Sequence, residues 1–227
     1  MGAVHICNLY SMTKPLTAMR DLFGVKPGLD RLGNAEPLPA IFPHYSAPIV
    51  RRTADGERGL VPAHWGFLMP QVSKKTGKPI MPKAVNNTRD DKAATSGFWR
   101  SSFKERHCLI PATAFCEPKG TAPATYHWFG MLSDEGDPDL FAFAGIWRNF
   151  RGNYRDELVE IDTYSMMTTK PNELVHEIHP DRMPVILSPG DYETWLSGSV
   201  DEAKGLMRAY PAEQMVIIDS GQGDAMR

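Results

Sequence analysis

Short apolar segments, rich in β-branched and aromatic residues, recur along the whole sequence and are separated by Pro, Gly and polar residues. Segments of this length and composition are typical of strands, because such side chains fit the pleated surface of a sheet. We predict strands at 47–52, 60–65, 107–111, 112–116, 125–129, 140–147, 159–168, 183–187 and 215–218. Helical patterns are fewer and shorter, at 16–23, 171–177, 189–196 and 200–208. This order of elements predicts one α+β domain dominated by strands.

The composition is that of a soluble globular protein and excludes several other classes. The 227 residues are enough for one sizeable domain, and 42% hydrophobic and 23% charged residues are ordinary values. No apolar run approaches the roughly 18 residues that a membrane helix needs. Residues 1–6 are too short and lack the basic region of a secretory signal. Three cysteines, an odd number, argue against a disulfide framework, and Cys108 and Cys116 fall in apolar segments as core residues do. We therefore expect a cytoplasmic protein without membrane contact.

The net charge of −2 hides an uneven distribution of charge. Between Ser73 and Arg106 there are nine Lys or Arg residues against three acidic ones, so this segment carries +6 and the remainder −8. A basic face on an acidic body can bind phosphate groups while the protein as a whole stays soluble. A solvated loop with scattered lysines has the same composition, and charge alone favours that interpretation. We predict irregular loops at 26–45 and at 68–82, the second with the tip KKTGK.

Asn87 and Arg89 follow a short apolar run and are two residues apart. On an extended segment, residues at this spacing point to the same side. The pair can hold the polar groups of a ligand, or it can cap a helix that starts near Lys92. The sequence leaves both alternatives open.

Cys7 lies near the start of the chain, in the stretch ICNLYS. If the six residues before it are removed, Cys7 presents a free α-amine and a thiol on adjacent carbons. The amine of such a 1,2-aminothiol condenses with an aldehyde to an imine, and the thiol then closes a five-membered thiazolidine ring. The alternative is a small buried hydrophobic residue near a chain end, and position alone favours that alternative.

Two further polar residues stand beside apolar segments: Glu117 directly follows 112–116, and His179 shortly precedes 183–187. A carboxylate there is costly unless it is paired, or has a raised pKa and a role in proton transfer. With Cys7 and Asn87 these residues suit a thiol hydrolase, with His as base and Glu as orienting group. They suit equally proton transfer during imine formation at a terminal amine. A structural role for each residue singly is the third alternative.

Several signatures of cofactor and metal sites are missing from the sequence. It contains no Gly-rich phosphate loop, no dinucleotide-binding G-x-G-x-x-G, no H-E-x-x-H and no G-x-S-x-G. No Cys and His spacing suits zinc either. We expect a protein that uses neither a cofactor nor a metal.

Five short motifs occur in order along the chain. They are Cys7-x-x-Tyr10-Ser11, Trp65-Gly66-Phe67, Asn87-Thr88-Arg89, Cys108-Leu109-Ile110-Pro111 through Phe115-x-Glu117, and His179 leading to Arg182-Met183-Pro184-Val185-Ile186-Leu187. Together they resemble the SOS-response-associated peptidase (SRAP) family, whose members cross-link to abasic sites in single-stranded DNA. The resemblance extends from Cys7 to about Ile218. It implies a barrel-like fold of mostly antiparallel strands with a few short peripheral helices.

The resemblance implies catalytic roles for four residues. Cys7, once N-terminal, would attack the ring-opened aldehyde of an abasic site and close a thiazolidine. Glu117 would relay protons during imine formation, and His179 would assist opening of the sugar ring. Asn87 would position the sugar or the cysteine amine. The family is also thought to release its own leader by cleavage before the cysteine, which makes it a thiol autopeptidase as well as a cross-linking protein.

The resemblance also implies a DNA-binding surface and a division of the chain. Arg89 would grip a phosphate, Trp65 would stand near the junction where the strand bends, and Arg182 would contact DNA. The expected partner is single-stranded DNA with abasic sites, bound by a monomer. The expected division is a leader or start artefact at 1–6, an SRAP-like domain at 7–220 and a tail at 221–227.

The chain departs from the family pattern in ways that bear on function. The family's cysteine normally follows the initiator Met, whereas six residues precede Cys7 here. The usual C-G-R-[YF] is replaced by CNLY, so the arginine that would contact DNA is absent, and Pro118 follows Glu117 where an aromatic residue is usual. Two rival functions stay open: a cysteine peptidase that acts on other proteins, and a non-covalent binder of single-stranded DNA.

Overall fold

The computed structural model describes residues 7–120, 123–134 and 136–222, which fold into a strand-rich α+β domain. The strands are β1 (Tyr10–Met12), β2 (Leu38–Ile41), β3 (Ser46–Arg52), β4 (Arg58–Trp65), β5 (Phe67–Val72), β6 (Pro79–Val85), β7 (Asn87–Arg89), β8 (His107–Ala112), β9 (Ala114–Lys119), β10 (Thr125–Gly130), β11 (Phe141–Tyr154), β12 (Glu157–Thr169), β13 (Met183–Pro184), β14 (Ile186–Leu187) and β15 (Val216–Gln222). The helices are α1 (Leu16–Phe23), α2 (Asp90–Ala93), α3 (Arg100–Glu105), α4 (Glu173–His176), α5 (Tyr192–Ser197) and α6 (Val200–Leu206), with 3₁₀ turns at Pro189–Asp191 and Ala212–Gln214. The predicted fold class is confirmed.

A closed five-stranded barrel forms the centre of the domain. Strands β4, β3, β8, β11 and β12 pair antiparallel in that order, and β12 closes the ring by pairing in parallel with β4. The interior is tightly packed: a Cβ at Gly145 would lie 2.7 Å from Ile110 and 2.9 Å from the Cys108 sulfur. The barrel-like architecture that the sequence resemblance implied is therefore present, with a close-packed interior.

A second sheet, with the order β15–β10–β9–β1–β2, brings the start of the described chain beside Glu117. Strand β1 pairs antiparallel with β9, with Tyr10 opposite Phe115. The Cys116 amide extends this pairing by donating to the Leu9 carbonyl at 2.9 Å. Because antiparallel strands run past each other, Cys7 is carried to the level of Glu117.

Local patterns predicted several elements correctly. The predicted strands 47–52 and 60–65 form the β3–β4 hairpin. The apolar face of 16–23 forms α1, which ends at Gly24 with φ 61°, a left-handed conformation that costs glycine little. The described residues include no helix that is both long and apolar enough to cross a membrane.

Two predicted loops contain strands instead. Residues 68–82 belong largely to an antiparallel hairpin of β5 and β6, and 26–45 includes β2. Prolines at positions 70, 79 and 82 hid the hairpin, because proline lacks the N–H that most strand positions use. The leader predicted at 1–6 lies outside the described residues, as do residues 223–227 of the predicted tail.

Candidate active site

Hydrogen bonds join three of the four predicted catalytic residues directly. The backbone N–H of Cys7 donates to Glu117 Oε1 at 3.0 Å, and Asn87 Nδ2 donates to the Cys7 carbonyl at 3.3 Å. Glu117 is supplied by β9, and Asn87 by β7, which pairs in parallel with β12 of the barrel. The two peptide groups that flank the Cys7 Cα are thus held by residues from two different sheets.

Glu117 is fully buried, and this burial controls its protonation. Loss of solvation raises the pKa of its carboxyl from 4.5 to about 8, although the hydrogen bond from the Cys7 backbone opposes the shift. Oε2 has no hydrogen-bond partner among the described residues. A buried carboxyl with a pKa near neutrality and one oxygen unoccupied is suited to accept and return a proton.

Cys7 is also fully buried, and it has an unusual backbone conformation. Its φ of 36° lies in the left-handed region, which costs a non-glycine residue about 1–3 kcal/mol. Burial, followed by the charge of Glu117, raises the pKa of the Cys7 thiol well above its ordinary value. The thiol is therefore protonated near neutral pH, and it needs a neighbouring base before it can react as a thiolate.

His179 is buried, and its hydrogen bond is to Arg182 and not to Cys7, Asn87 or Glu117. Its Nδ1 lies 3.2 Å from the Arg182 carbonyl oxygen, which can only accept, so Nδ1 carries the proton of this bond. Nε2 has no hydrogen-bond partner within the described part of the chain. In the neutral ring Nε2 is then an available acceptor.

The three predicted DNA contacts have different surroundings. Arg89 is exposed and forms a bidentate pair with Asp91, at 2.9 and 3.0 Å, on the rim of a cleft of about 440 Å³. Trp65 has 0% of its surface exposed: it stacks on Tyr164, and its indole N–H donates to the Asn86 carbonyl at 3.0 Å. In this conformation the Trp65 side chain is part of the core, and its contact with DNA stays a prediction.

Arg182 is likewise committed to the protein interior and is only 7% exposed. Its guanidinium pairs with Asp90 and donates to the Thr168 hydroxyl at 3.1 Å and the Thr168 carbonyl at 2.6 Å. These bonds engage Nε and Nη2 of the guanidinium. Arg182 thus ties the segment after His179 to β12 and α2, and its contact with DNA stays a prediction.

A second side-chain hydrogen bond, which the sequence did not predict, holds the segment that contains Cys7. Asn86 Nδ2 donates to Asn8 Oδ1 at 2.7 Å, next to the bond between Asn87 and Cys7. The Asn86 carbonyl is itself fixed by the Trp65 indole N–H and by the Met166 amide. The adjacent Asn86 and Asn87 could have drawn attention as a pair, but nothing local indicated that Asn8 was the partner.

No group of three or more His, Cys, Asp or Glu side chains suited to a metal occurs in the ranges 7–120, 123–134 and 136–222. The expectation of a cofactor-free protein stays a prediction.

Comparison with known proteins assigns the family. The chain matches the sequence profile of the SOS response associated peptidase (SRAP) family over residues 6–220. The chain belongs to the SRAP family. The match includes Cys7, Asn87, Glu117 and His179, so all four candidate catalytic residues lie inside the shared domain.

Relatives of this SRAP chain include curated proteins and solved structures. It is 32% identical over 158 residues to the abasic site processing protein YoqW of Bacillus subtilis, a region that covers 66% of this chain and 64% of that protein. Identity to the abasic site processing protein YobE of the same organism is also 32%, with 66% of each chain covered. A crystal structure from Bordetella bronchiseptica superposes with a TM-score of 0.71 at 26% identity, covering 95% of this chain and 99% of that one. One from Bacteroides thetaiotaomicron gives 0.75 at 21% identity, covering 95% and 91%.

The raised pKa of Glu117 predicts a pH-dependent loss of stability. The pKa of the carboxyl is 4.5 in the unfolded chain and about 8 in the folded protein. The folded state therefore holds its proton more tightly, and this adds to the free energy of unfolding. The added stability is fully present below pH 4.5 and is lost as the pH rises to about 8. The full loss is on the order of 5 kcal/mol. In a Cys7→Ala background, which removes the neighbouring thiol from the titration, Glu117→Gln should gain stability over its parent as the pH rises from about 5 to about 8. Urea unfolding at several pH values measures this, and a difference that is constant with pH would contradict the assigned pKa.

Proposed function

We propose that this SRAP protein captures abasic sites in single-stranded DNA covalently through the α-amine and thiol of Cys7, after cleavage of the bond between Ile6 and Cys7. The observation that carries the proposal is the 3.0 Å hydrogen bond between the Cys7 nitrogen and Glu117 Oε1. The nitrogen that must first become an amine, and then attack an aldehyde, is held by the buried group best suited to exchange protons with it. Two relatives, YoqW and YobE, are named abasic site processing proteins, which supports this function.

Cleavage requires the Cys7 sulfur to attack the Ile6 carbonyl carbon. The C–N bond breaks, the thiol proton passes through Glu117 to the departing Cys7 nitrogen, and a thioester forms between Ile6 and the Cys7 sulfur. Water then hydrolyses the thioester, which releases residues 1–6 as a carboxylate and regenerates the thiol. The left-handed φ of Cys7 favours the step, because strain of about 1–3 kcal/mol is relieved when the preceding peptide bond is lost.

Capture follows from the same positions. The neutral amine adds to the aldehyde carbon of the open sugar, Glu117 donates a proton to the departing hydroxyl as water leaves, and an imine results. The thiol then adds to the imine carbon, and its proton moves to nitrogen, which closes the thiazolidine. An α-amine ordinarily has a pKa of about 7.7–8.0, close to the value of about 8 for Glu117 with the amide in place, so proton exchange between them costs little.

The other predicted residues support this chemistry in their observed positions. Asn87 holds the Cys7 carbonyl and so fixes the direction of the amine. We assign His179 to opening of the sugar ring, because its Nε2 is a buried acceptor without a partner in the described ranges. Arg89 is the one of the three predicted DNA contacts that is exposed, and we propose that it binds a phosphate.

The aldehyde dependence of the adduct tests the function. The protein is mixed with single strands that contain an abasic site, its tetrahydrofuran analogue, which has no aldehyde, or an intact base, and the products are separated under denaturing conditions. A band of adduct with the abasic strand alone is expected. Equal non-covalent binding of all three strands, with complete release in denaturant, would overturn the proposal in favour of a DNA binder. Cleavage of other proteins by the uncut chain would favour a peptidase.

Asn8 is expected to act as a positioning residue for this reaction. In Asn8→Ala the Asn86 side chain loses its acceptor, a bond worth about 1 kcal/mol, so the rate of adduct formation at saturating DNA should fall about fivefold. The DNA concentration that gives half the maximal rate should not change, because Asn8 positions the cysteine and not the strand. Asn34→Ala, at an exposed position, is the control. A reduced affinity with an unchanged maximal rate would argue against this role.

A further inference from the structure

The hairpin of β5 and β6 is a two-stranded ribbon that projects from the domain. Its base is fixed: Phe67 and Leu68 are fully buried, and Arg148 donates to the Leu68 carbonyl at 2.8 Å while covering the Phe67 ring at 4.4 Å. Farther out, every residue from 74 to 81 is exposed. The turn is ordered by bonds across it, from the Ser73 amide to the Lys78 carbonyl at 2.9 Å and from the Gly77 amide to the Ser73 carbonyl at 2.8 Å.

The surface of this ribbon is basic and apolar at once. It carries four lysines, and the segment 67–85 contains no Asp or Glu, so no acidic neighbour within the ribbon neutralises them. Val72, Ile80 and Met81 are 64%, 52% and 54% exposed, which is high for large apolar side chains at neighbouring positions of one paired hairpin. The lysines are Lys74, Lys75, Lys78 and Lys83. Cations interleaved with apolar side chains suit a polyanion that also has apolar faces, as a nucleic acid strand does.

The position of the ribbon points to the same partner. Strand β6 ends at Val85, and the next two residues are Asn86 and Asn87, which hold Asn8 and Cys7. A strand whose sugar reaches Cys7 therefore passes the base of the ribbon. The basic segment that the sequence indicated is in this part not a solvated loop but a preformed arm attached to the site.

We propose that the β5–β6 ribbon binds the sugar–phosphate backbone of the DNA strand beside the lesion, with its lysines on phosphates and its apolar side chains against sugars and bases. The inference rests on the proposed function for the identity of the partner, but not on the cross-linking chemistry. The ribbon would contact DNA in addition to Arg89 and Cys7.

The salt dependence of binding tests the proposal without any covalent step. Affinity for a single strand with a tetrahydrofuran site, which cannot cross-link, is measured at several salt concentrations for Lys74→Gln/Lys75→Gln/Lys78→Gln. Each lost phosphate contact should flatten the slope of log K against log salt by about 0.7, so the triple variant should lose about 2. The control is Lys14→Gln/Lys26→Gln/Arg31→Gln, which removes the same charge from other elements and should keep the wild-type slope.

The contribution of the apolar side chains to binding can be measured separately, because it does not depend on salt. Val72→Thr/Ile80→Thr/Met81→Thr keeps β-propensity and charge, so it should weaken binding by a similar factor at every salt concentration and leave the slope unchanged. If the lysine variant and its control have equal slopes, the ribbon does not bind the strand and the proposal is wrong. Should the ribbon variants behave as expected while wild type forms no adduct with an abasic strand, the ribbon proposal stands and the proposed cross-linking fails.

Discussion

Cys7→Ala is expected to reduce the denaturation-resistant DNA adduct below detection. The variant lacks the sulfur that must attack the Ile6 carbonyl, so residues 1–6 stay attached and the nitrogen of residue 7 stays in an amide bond. It also lacks the sulfur that would close the thiazolidine, so an imine formed by any other route would hydrolyse. Denaturing electrophoresis with an abasic single strand measures the loss.

The other two cysteines provide matched controls for this variant. Cys108 and Cys116 are both buried, at 0% and 3% exposure, so their replacement by Ala removes the same atoms from an equally protected place. Cys108→Ala and Cys116→Ala should keep the adduct. A full yield of adduct from Cys7→Ala, or its loss from Cys108→Ala with the fold intact, would refute the assignment of Cys7.

Glu117→Gln is expected to slow adduct formation by about 10²–10⁴, the usual contribution of a positioned acid or base. The glutamine carbonyl can still accept the Cys7 N–H, so the local geometry is kept, but the amide cannot carry a proton between sulfur, nitrogen and the departing hydroxyl. Removal of residues 1–6 should slow as well, because the same carboxyl protonates the leaving nitrogen. Single-turnover rates and the mass of the protein chain measure the two steps separately.

Two comparisons keep this result specific to proton transfer. Affinity of Glu117→Gln for the tetrahydrofuran strand should equal that of wild type, since Glu117 is fully buried and the proton transfer assigned to it requires the aldehyde that this strand lacks. Glu177→Gln, at an exposed position, should have the wild-type rate. A Glu117→Gln rate within about twofold of wild type would exclude Glu117 as the proton relay.

Candidate site residues could be predicted from the sequence where the local pattern alone singled them out. Glu117 could be found because a carboxylate at the end of an apolar segment demands a partner or a function. Asn87 could be found because its spacing from Arg89 on an extended segment placed both on one side. Which residues meet depends on strand pairing: β1 with β9 brings Cys7 to Glu117, and β7 with β12 places Asn87 beside Cys7.

Other features of the site depend on contacts between distant parts of the chain, which the sequence did not indicate. The ion pair of Arg182 is with Asp90, which is 92 positions away in the sequence. Trp65 is enclosed by Tyr10 and Tyr164, which belong to two other strands. The parallel pairing of β12 with β4, which closes the barrel, likewise leaves no local pattern. Burial created by such contacts cannot be read from periodicity within one segment.

The most direct test of the account is the intact mass of the protein after incubation with an abasic single-stranded oligonucleotide. The account predicts a species that lacks residues 1–6 and is heavier by the mass of the oligonucleotide less one water, because imine formation expels one water and ring closure expels none. A chain that lacks residues 1–6 but carries no oligonucleotide would contradict the capture chemistry. An adduct on the chain that still carries residues 1–6 would contradict the central claim that the reacting group is the α-amine of Cys7.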